Sequence, residues 1–548
     1  MLRSTGSTAT RGLLLILICF TLSWFSTLGY RKLIHSDEGR YAEIPREMVQ
    51  SGNWVTPRLN NIKYFEKPAL QYWTTAMGFE VFGESEWSAR LWPALTGFLG
   101  VLLVFFTGRQ LWGRDAGLYS AAVLGGSLWW IANGHFLTLD MGVSFFLTLA
   151  LCCFVLAQRA QATPHERRNN MYLVWAAMAL AVLSKGLIGL ALPGMVLVAY
   201  SVINRDFAIW KRMHWFAGLL IFFAITTPWF VLVSQHNPEF PEFFFIHEHY
   251  TRFISTEHRR EGAWWYFVPI LLIGFVPWTT LLPSVFKNGQ EGYAWRFSAE
   301  RVLLLWSILI FLFFSKSGSK LPSYILPIFP ALALLAGRAI SEMPARRFAW
   351  HALPLVALGI GILVAIPHVA QLNSEDTPNI LHVAYTPWLM VGGSLMIAGG
   401  FIAFILARTG HRSAAVITLS ATLLTGGQIP LLGHNAYAPA MSAWQIAQQI
   451  KAHSTPETPI FSVMGYQQTL PFYLKRPVIL VDFEDEFSFG QKQEPDKKVS
   501  LPDFVERWKN AETAIAVVER EDMKKVDELG ISYTIVGEDP RRLAIAKE

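Results

Sequence analysis

Between residues 31 and 90 the chain gathers acids, bases and phenols in a stretch flanked on both sides by apolar sequence. His35, Ser36, Asp37, Glu38, Gly39, Arg40 and Tyr41 run together, and Lys63, Tyr64, Phe65, Glu66, Lys67 and Pro68 follow further on. Connectors between membrane helices are ordinarily short. A long connector rich in ionisable groups therefore points to a reaction at a membrane surface on an anionic substrate. Asp37 and Glu38 are the first candidate catalytic residues. A carboxylate there can act as a base, hold a cation or stabilise a carbocation-like sugar. The pair would serve equally as helix-end acids, with Ser36 or Asp37 capping an amphipathic helix over 39–49. Lys67 offers a point charge to phosphate and Tyr64 a directional donor, unless these bases merely snorkel from the membrane edge.

Asp140, in Leu137-Thr138-Leu139-Asp140-Met141, is squeezed between two apolar spans. A charge at such a turn is costly unless used, which makes it a third catalytic candidate. A second polar stretch, 235–263, carries His247, Glu248, His249, Tyr250, Thr251 and Arg252. Arg252 fits a phosphate ligand. Two histidines at i and i+2 beside acids can bind one divalent, zinc-like metal, with Glu66 and His247 as partners, although this spacing alone is a weak signal. Ser184-Lys185-Gly186 and the run from Lys316 to Tyr324, with Lys320, place basic groups at the depth of lipid phosphates, or else are ordinary polar hairpins.

The elements that must position these residues are membrane helices. Of 548 residues, 52% are hydrophobic and only 16% charged, against about 25% charged in ordinary soluble domains. The 21 Trp and 39 Phe suit many helix ends at membrane interfaces. A net charge of +6 suits anionic lipid headgroups. The basic residues are scattered in short loops rather than clustered, which argues against nucleic acid. Cys19, Cys152 and Cys153 all fall in apolar spans, so neither a disulfide nor a zinc knuckle holds the fold. The N-terminal apolar run is long for a signal peptide and reads as a retained first helix.

Crossing a bilayer takes about 20 apolar residues, and spans are predicted near 12–30, 91–111, 116–136, 141–158, 171–184, 187–203, 214–234, 264–286, 302–315, 323–340, 350–370, 387–407 and 413–433. Short loops on one side carry Arg109, Arg159, Arg167, Arg212, Lys287, Arg346 and Arg408, which the positive-inside rule makes cytoplasmic. The stretches 31–90 and 235–263 and the C-terminus then lie outside. After about residue 433 the pattern changes. An amphipathic helix over 442–452 precedes β-like runs at 460–463, 478–481, 514–518 and 533–536, alternating with helix-like segments. This predicts a small α/β domain over 434–548 following a membrane domain over 1–433, with 484–500 as a mobile loop.

Several of these motifs together resemble the lipid A aminoarabinose transferases. They are the Asp-Glu pair after the first helix, Lys-Tyr-Phe-Glu-Lys-Pro, Leu-Thr-Leu-Asp, Leu-Ser-Lys-Gly and Ser-Lys-Leu-Pro-Ser-Tyr-Ile-Leu-Pro. Leu187 departs from the Lys-Gly-Pro of many relatives, which should bend that turn less sharply. The resemblance implies a GT-C membrane glycosyltransferase: a polytopic α-helical membrane protein with about 13 transmembrane helices and a small C-terminal periplasmic α/β domain. It implies transfer of 4-amino-4-deoxy-L-arabinose from undecaprenyl phosphate to a lipid A phosphate, at the periplasmic face of the bacterial inner membrane, with polymyxin resistance as the outcome. No nucleotide is needed. Lys67 and Arg252 would bind the donor phosphate, with Tyr64, Tyr324 and Lys320 beside them. Asp37 would orient the acceptor, stabilise oxocarbenium charge or hold the donor's ammonium, and Asp140 would assist. A GT-C enzyme with another polyprenyl-phosphate sugar and a protein or glycan acceptor is the nearer alternative. A lipid or sugar transporter is the more distant one, because no internal repeat is present and few charges lie in mid-span.

Overall fold

The computed structural model describes residues 4–251, 262–291 and 296–548. Every apolar segment predicted to cross a bilayer is helical. Among the described residues, seven helical segments are long and apolar enough to cross, including Glu86–Trp112, Leu139–Gln158, Trp215–His236 and Asn379–Arg408. The pair Phe267–Gly274 and Trp278–Gly289, bent by 104°, brings the number to eight if it is one span. Other runs are shorter, interrupted or, as in Pro164–Lys185, polar at their ends. The 116–136 run divides into Arg114–Gly125 and Leu128–Gly134. At that break a β-carbon on Gly126 would lie 2.7 Å from the Ser420 Cα, so the glycine lets two backbones touch.

Residues 31–90 are mostly regular structure rather than open loop. They form the helix Asp37–Ser51, the strands β1 (Arg58–Leu59) and β2 (Ile62–Lys63), and the helix Leu70–Phe82. The Asp37–Ser51 helix is polar in sequence, yet Glu38, Glu43, Arg46 and Glu47 are all buried within it. Burial of three of them is tolerable because their charges are paired: Arg90 meets Glu38, and Arg46 donates to both oxygens of Glu43 at 2.7 and 2.5 Å, while Glu47 accepts from the Asn61 N–H at 2.8 Å. The helix ends where Gly52 takes a left-handed φ of 67°. β1 and β2 are joined by Asn60 and Asn61 at φ 54° and 58°, the conformation a tight antiparallel hairpin requires.

The C-terminal unit is a five-stranded sheet of β3 (Ile460–Val463), β4 (Ile479–Val481), β5 (Ile515–Glu519), β6 (Tyr533–Glu538) and β7 (Arg542–Lys547), in the order β4-β3-β5-β7-β6. β4, β3 and β5 are parallel; β7 runs antiparallel to β5 and pairs with β6 across a bulge between Ile535 and Gly537. One face packs Phe461, Val463, Phe504, Trp508 and Ile545 together. The other face continues into the 31–90 segment: Leu33, Tyr41, Ile44, Tyr72, Ile460, Tyr466 and Leu470 share one buried cluster. The sheet and the Asp37–Ser51 helix therefore share a core instead of meeting across a linker.

The stretch 484–500 is not the open loop its composition predicts. It holds the turn Asp485–Phe487, the helix Ser488–Gln493 and the turn Pro495–Lys497. Its charges find partners far away in sequence. Glu494 accepts from Arg58 Nη1 at 3.0 Å and from the Lys63 backbone at 3.1 Å, and Gly490 packs directly on the Lys63 carbonyl. Phe489 stacks on Phe243 at 4.0 Å between ring centres and contacts Phe65 edge-on at 6.0 Å.

Candidate active site

Asp37 opens the first turn of the Asp37–Ser51 helix, where the helix dipole favours a carboxylate. Its side chain is 42% exposed and accepts from Arg40 Nη1 at 2.9 Å. Ser36 makes no side-chain capping bond, so Asp37 is not half of a cap. Glu38 is different, and the structure removes it from the catalytic set. Arg90 donates to its two oxygens at 2.7 and 2.8 Å, the Leu137 backbone at 3.0 Å and the Ile34 backbone at 3.1 Å. Burial opposes its ionisation, but Arg90, Arg31 and the Leu137 N–H outweigh burial and hold its carboxyl below the ordinary range. A fully bonded carboxylate with 2% exposure has no lone pair for a substrate. Glu38 pins the chain after the first helix to the Glu86–Trp112 helix.

Asp140 begins the Leu139–Gln158 helix and is 8% exposed. One oxygen is ion-paired with Lys185; the other accepts from Ser323 Oγ at 2.9 Å. Three segments, beginning at 139, ending at 185 and running through 322–328, thus meet at one carboxylate. Each Asp140 oxygen accepts from one partner, so Asp140 holds Lys185 and the 322–328 turn in place. It sets the Lys185 ammonium 4.7 Å from the Tyr324 ring centre. Tyr324, half-buried, also packs on Phe314.

Lys67 and Tyr64 come from the turn after β2. Phe65 anchors that turn, buried against Phe240 in a cluster with Trp229 and Phe244. Phe240 and Phe244 belong to the second polar stretch, which forms a π-helix over Glu242–Thr251. Lys63 adds an ion pair to Glu239 at 2.6 Å. Lys67 Nζ donates to the Glu66 carbonyl at 2.8 Å and lies 3.8 Å from its carboxylate. Tyr64 is buried; burial first and the Glu66 carboxylate second push its phenol well above its usual value, so it stays a donor. The charges of Asp37 and Glu66 both act on Tyr41 and Tyr72, and Asp37 acts on Lys185 as well. Asp37, Tyr64, Glu66, Lys67, Asp140, Lys185 and Tyr324 therefore form one neighbourhood.

Lys320 is 9% exposed and donates to the Ser317 carbonyl at 2.8 Å, holding its own turn. Arg252 lies outside the described residues. His247 is exposed and stacks on Phe243 at 5.3 Å. Among the described residues no group of three or more His, Cys, Asp or Glu is gathered as a metal site. Glu66 and His247 supply two of the three or four donors a zinc site needs. From sequence alone Arg40 and Ser323 are only members of the motif runs, and Arg90 and Glu486 are not singled out. Lys185 was noted only as a basic turn. Their signal was faint: each is a charge or hydroxyl near an apolar boundary, and its partner lies 3 to 446 positions away.

The arrangement is a set of cations and phenols for an anion, and Asp37, at 42% exposure against 23% for Glu66, is the most exposed of its described carboxylates. Residues 446–547 match the family model described as the aminoarabinose transferase C-terminal domain, and residues 9–244 match that of the dolichyl-phosphate-mannose-protein mannosyltransferases. The chain is 32% identical to the undecaprenyl phosphate-alpha-4-amino-4-deoxy-L-arabinose arabinosyl transferase of Erwinia tasmaniensis, over 91% of each chain. It is 28% identical to a second such transferase from Proteus mirabilis, over 97% of this chain and 94% of that one. Its fold superposes on the crystal structure of ArnT from Cupriavidus metallidurans bound to undecaprenyl phosphate with a TM-score of 0.94, at 39% identity over 98% of both chains.

Proposed function

Because the chain belongs to the family of undecaprenyl phosphate-4-amino-4-deoxy-L-arabinose arabinosyl transferases, we propose that it moves 4-amino-4-deoxy-L-arabinose from undecaprenyl phosphate to a phosphate of lipid A, and so confers resistance to polymyxin and other cationic peptides. It is a polytopic glycosyltransferase of the bacterial inner membrane. The observation that carries this reading is the match along 98% of both chains to a structure bound to undecaprenyl phosphate. The site faces the periplasm, as does the C-terminus; support comes from the basic short loops, which the positive-inside rule assigns to the opposite end. Residues 1–433 carry the transfer chemistry, and residues 434–548 cover it and dock the 31–90 segment.

A lipid A phosphate monoester is already anionic at neutral pH, its second pKa being about 6, so it attacks without a strong base. Its oxygen forms the new bond to C1 as the bond from C1 to the undecaprenyl phosphate oxygen breaks, with inversion. Lys67, Arg252, Tyr64 and Tyr324 hold the donor phosphate and stabilise the charge it gains on leaving. Lys320 keeps the turn that presents Tyr324, and Asp140 acts through Lys185. Asp37 faces the sugar, where positive charge develops at C1 and where the amine is cationic.

Mass spectrometry of lipid A tests this, in cells that make the donor but lack their own transferase. A gain of one aminoarabinose, lost with Lys67→Met, supports the reading. Unmodified lipid A beside a correctly inserted protein refutes it, and would favour the protein acceptor of the mannosyltransferases whose model matches residues 9–244. Elemental analysis of chelator-washed wild type and His247→Ala addresses the predicted divalent metal. Stoichiometric zinc lost in the variant makes His247 a ligand, and equal metal in both removes it.

A further inference from the structure

Asp37 is the most exposed described carboxylate of the site, and the residue that governs it comes from the far end of the chain. Arg40, three residues on, donates Nη1 to one Asp37 oxygen at 2.9 Å, and its Nε donates to Glu486 at 2.6 Å. An i,i+3 ion pair at a helix end is too weak by itself to fix two side chains. Glu486 supplies the missing constraint. Its side chain is 7% exposed, against 13% for Arg40, and its second oxygen accepts from Gln468 Nε2 at 3.1 Å. The backbones behind it touch: a β-carbon on Gly39 would lie 2.5 Å from the Gln468 carbonyl carbon. The C-terminal unit therefore meets the Asp37 helix at backbone contact, directly beside the reacting end.

The charges give this contact a purpose. Asp37, Arg40 and Glu486 sum to one negative charge, and the exposed end of the row is Asp37. Without Glu486 the Arg40 guanidinium would belong to Asp37 alone, and that end would be neutral. We propose that Glu486 is a positioning residue for transfer: it occupies Arg40 from behind, so that Asp37 keeps its orientation and its charge for the cationic sugar. This rests on the transfer reading above, in which the sugar carries an ammonium and C1 becomes cationic. Glu486 also acts on three buried phenols, Tyr64, Tyr72 and Tyr466.

The test compares Glu486→Gln, the swap Gln468→Glu/Glu486→Gln, and Glu494→Gln. The last breaks a different contact between the C-terminal unit and the 31–90 segment, one that does not touch Asp37. Aminoarabinose transfer to lipid A is measured with purified protein, alongside the apparent unfolding temperature. Glu486→Gln is expected to unfold with the wild type and to lose kcat by about a hundredfold, with donor KM changed less than about twofold. The swap, which returns a carboxylate to the same pair, recovers most of that loss, and Glu494→Gln leaves kcat near wild type. Wild-type kcat in Glu486→Gln overturns the proposal, as does an equal loss in Glu494→Gln, which would make Glu486 one docking contact among several. A wild-type protein that transfers no aminoarabinose overturns the transfer reading and this proposal together, whereas an active wild type with an unaffected Glu486→Gln overturns this proposal alone.

Discussion

Glu38→Gln separates structural from catalytic carboxylates at this site. Each Glu38 oxygen accepts two N–H groups, from Arg90 Nε and Leu137 on one and from Arg90 Nη2 and Ile34 on the other. A carboxamide has one oxygen, so whichever way it turns, two of those four donors face an NH2. Arg90 is itself fully buried and would lose its counter-charge, its remaining partners being the carbonyls of Leu28, Arg31 and Lys32 at 2.8, 2.7 and 3.0 Å. Removing one partner of such a pair costs about 3–5 kcal/mol, and the pair is too buried for solvent to screen it. The expected result is a clearly lowered apparent unfolding temperature in detergent and faster proteolysis between residues 31 and 52. Transfer per folded molecule should stay near wild type. Glu38→Gln combined with Arg90→Met should cost less than the sum of the two singly, because the charges are coupled. A Glu38→Gln protein that unfolds like the wild type yet transfers no sugar would refute this reasoning and return Glu38 to the reacting groups.

Lys67→Met should abolish transfer without changing insertion or the unfolding temperature; turnover near wild type would remove Lys67 from the donor site. Glu47 is buried, and burial first and the neighbouring Glu43 carboxylate second raise its carboxyl well above the ordinary 4.5. The folded protein then binds more protons than the unfolded one above that pH, so stability falls as pH rises through the window between the two values. Glu47→Gln should flatten that fall and raise the unfolding temperature at pH 8 relative to pH 5; an unchanged pH slope would show that Glu47 ionises normally. Asn60 accepts from the Val478 N–H and donates to the Val478 carbonyl, both at 2.8 Å. Asn60→Ala orphans both backbone groups and should cost about 1–3 kcal/mol, read as faster hydrogen exchange at Val478; unchanged exchange would show that the hairpin does not hold the sheet.

Three features were readable from the sequence alone, because each depends on residues close together in the chain. Long apolar runs bounded by arginines can only be satisfied by helices in lipid, so every predicted span is helical. Strands β3 to β6 follow from β-branched runs between turn residues. The motif residues, with their unusual charges beside apolar sequence, marked the candidate site. Strand β7 escaped because Arg-Leu-Ala-Ile-Ala-Lys has little β propensity and is a strand only because β5 and β6 flank it. The three acids that looked alike, Asp37, Glu38 and Asp140, became distinct only in the folded chain, where the partners that decide each one stand 3, 52 and 45 positions away. Likewise the charged stretch 484–500 reads as a solvated loop until Arg58 and Arg40, more than four hundred residues earlier, are brought against Glu494 and Glu486. Whether a buried charge is a cost, a clamp or a reacting group depends on its partners and on the water it has lost, and both are set by tertiary contact rather than by local sequence.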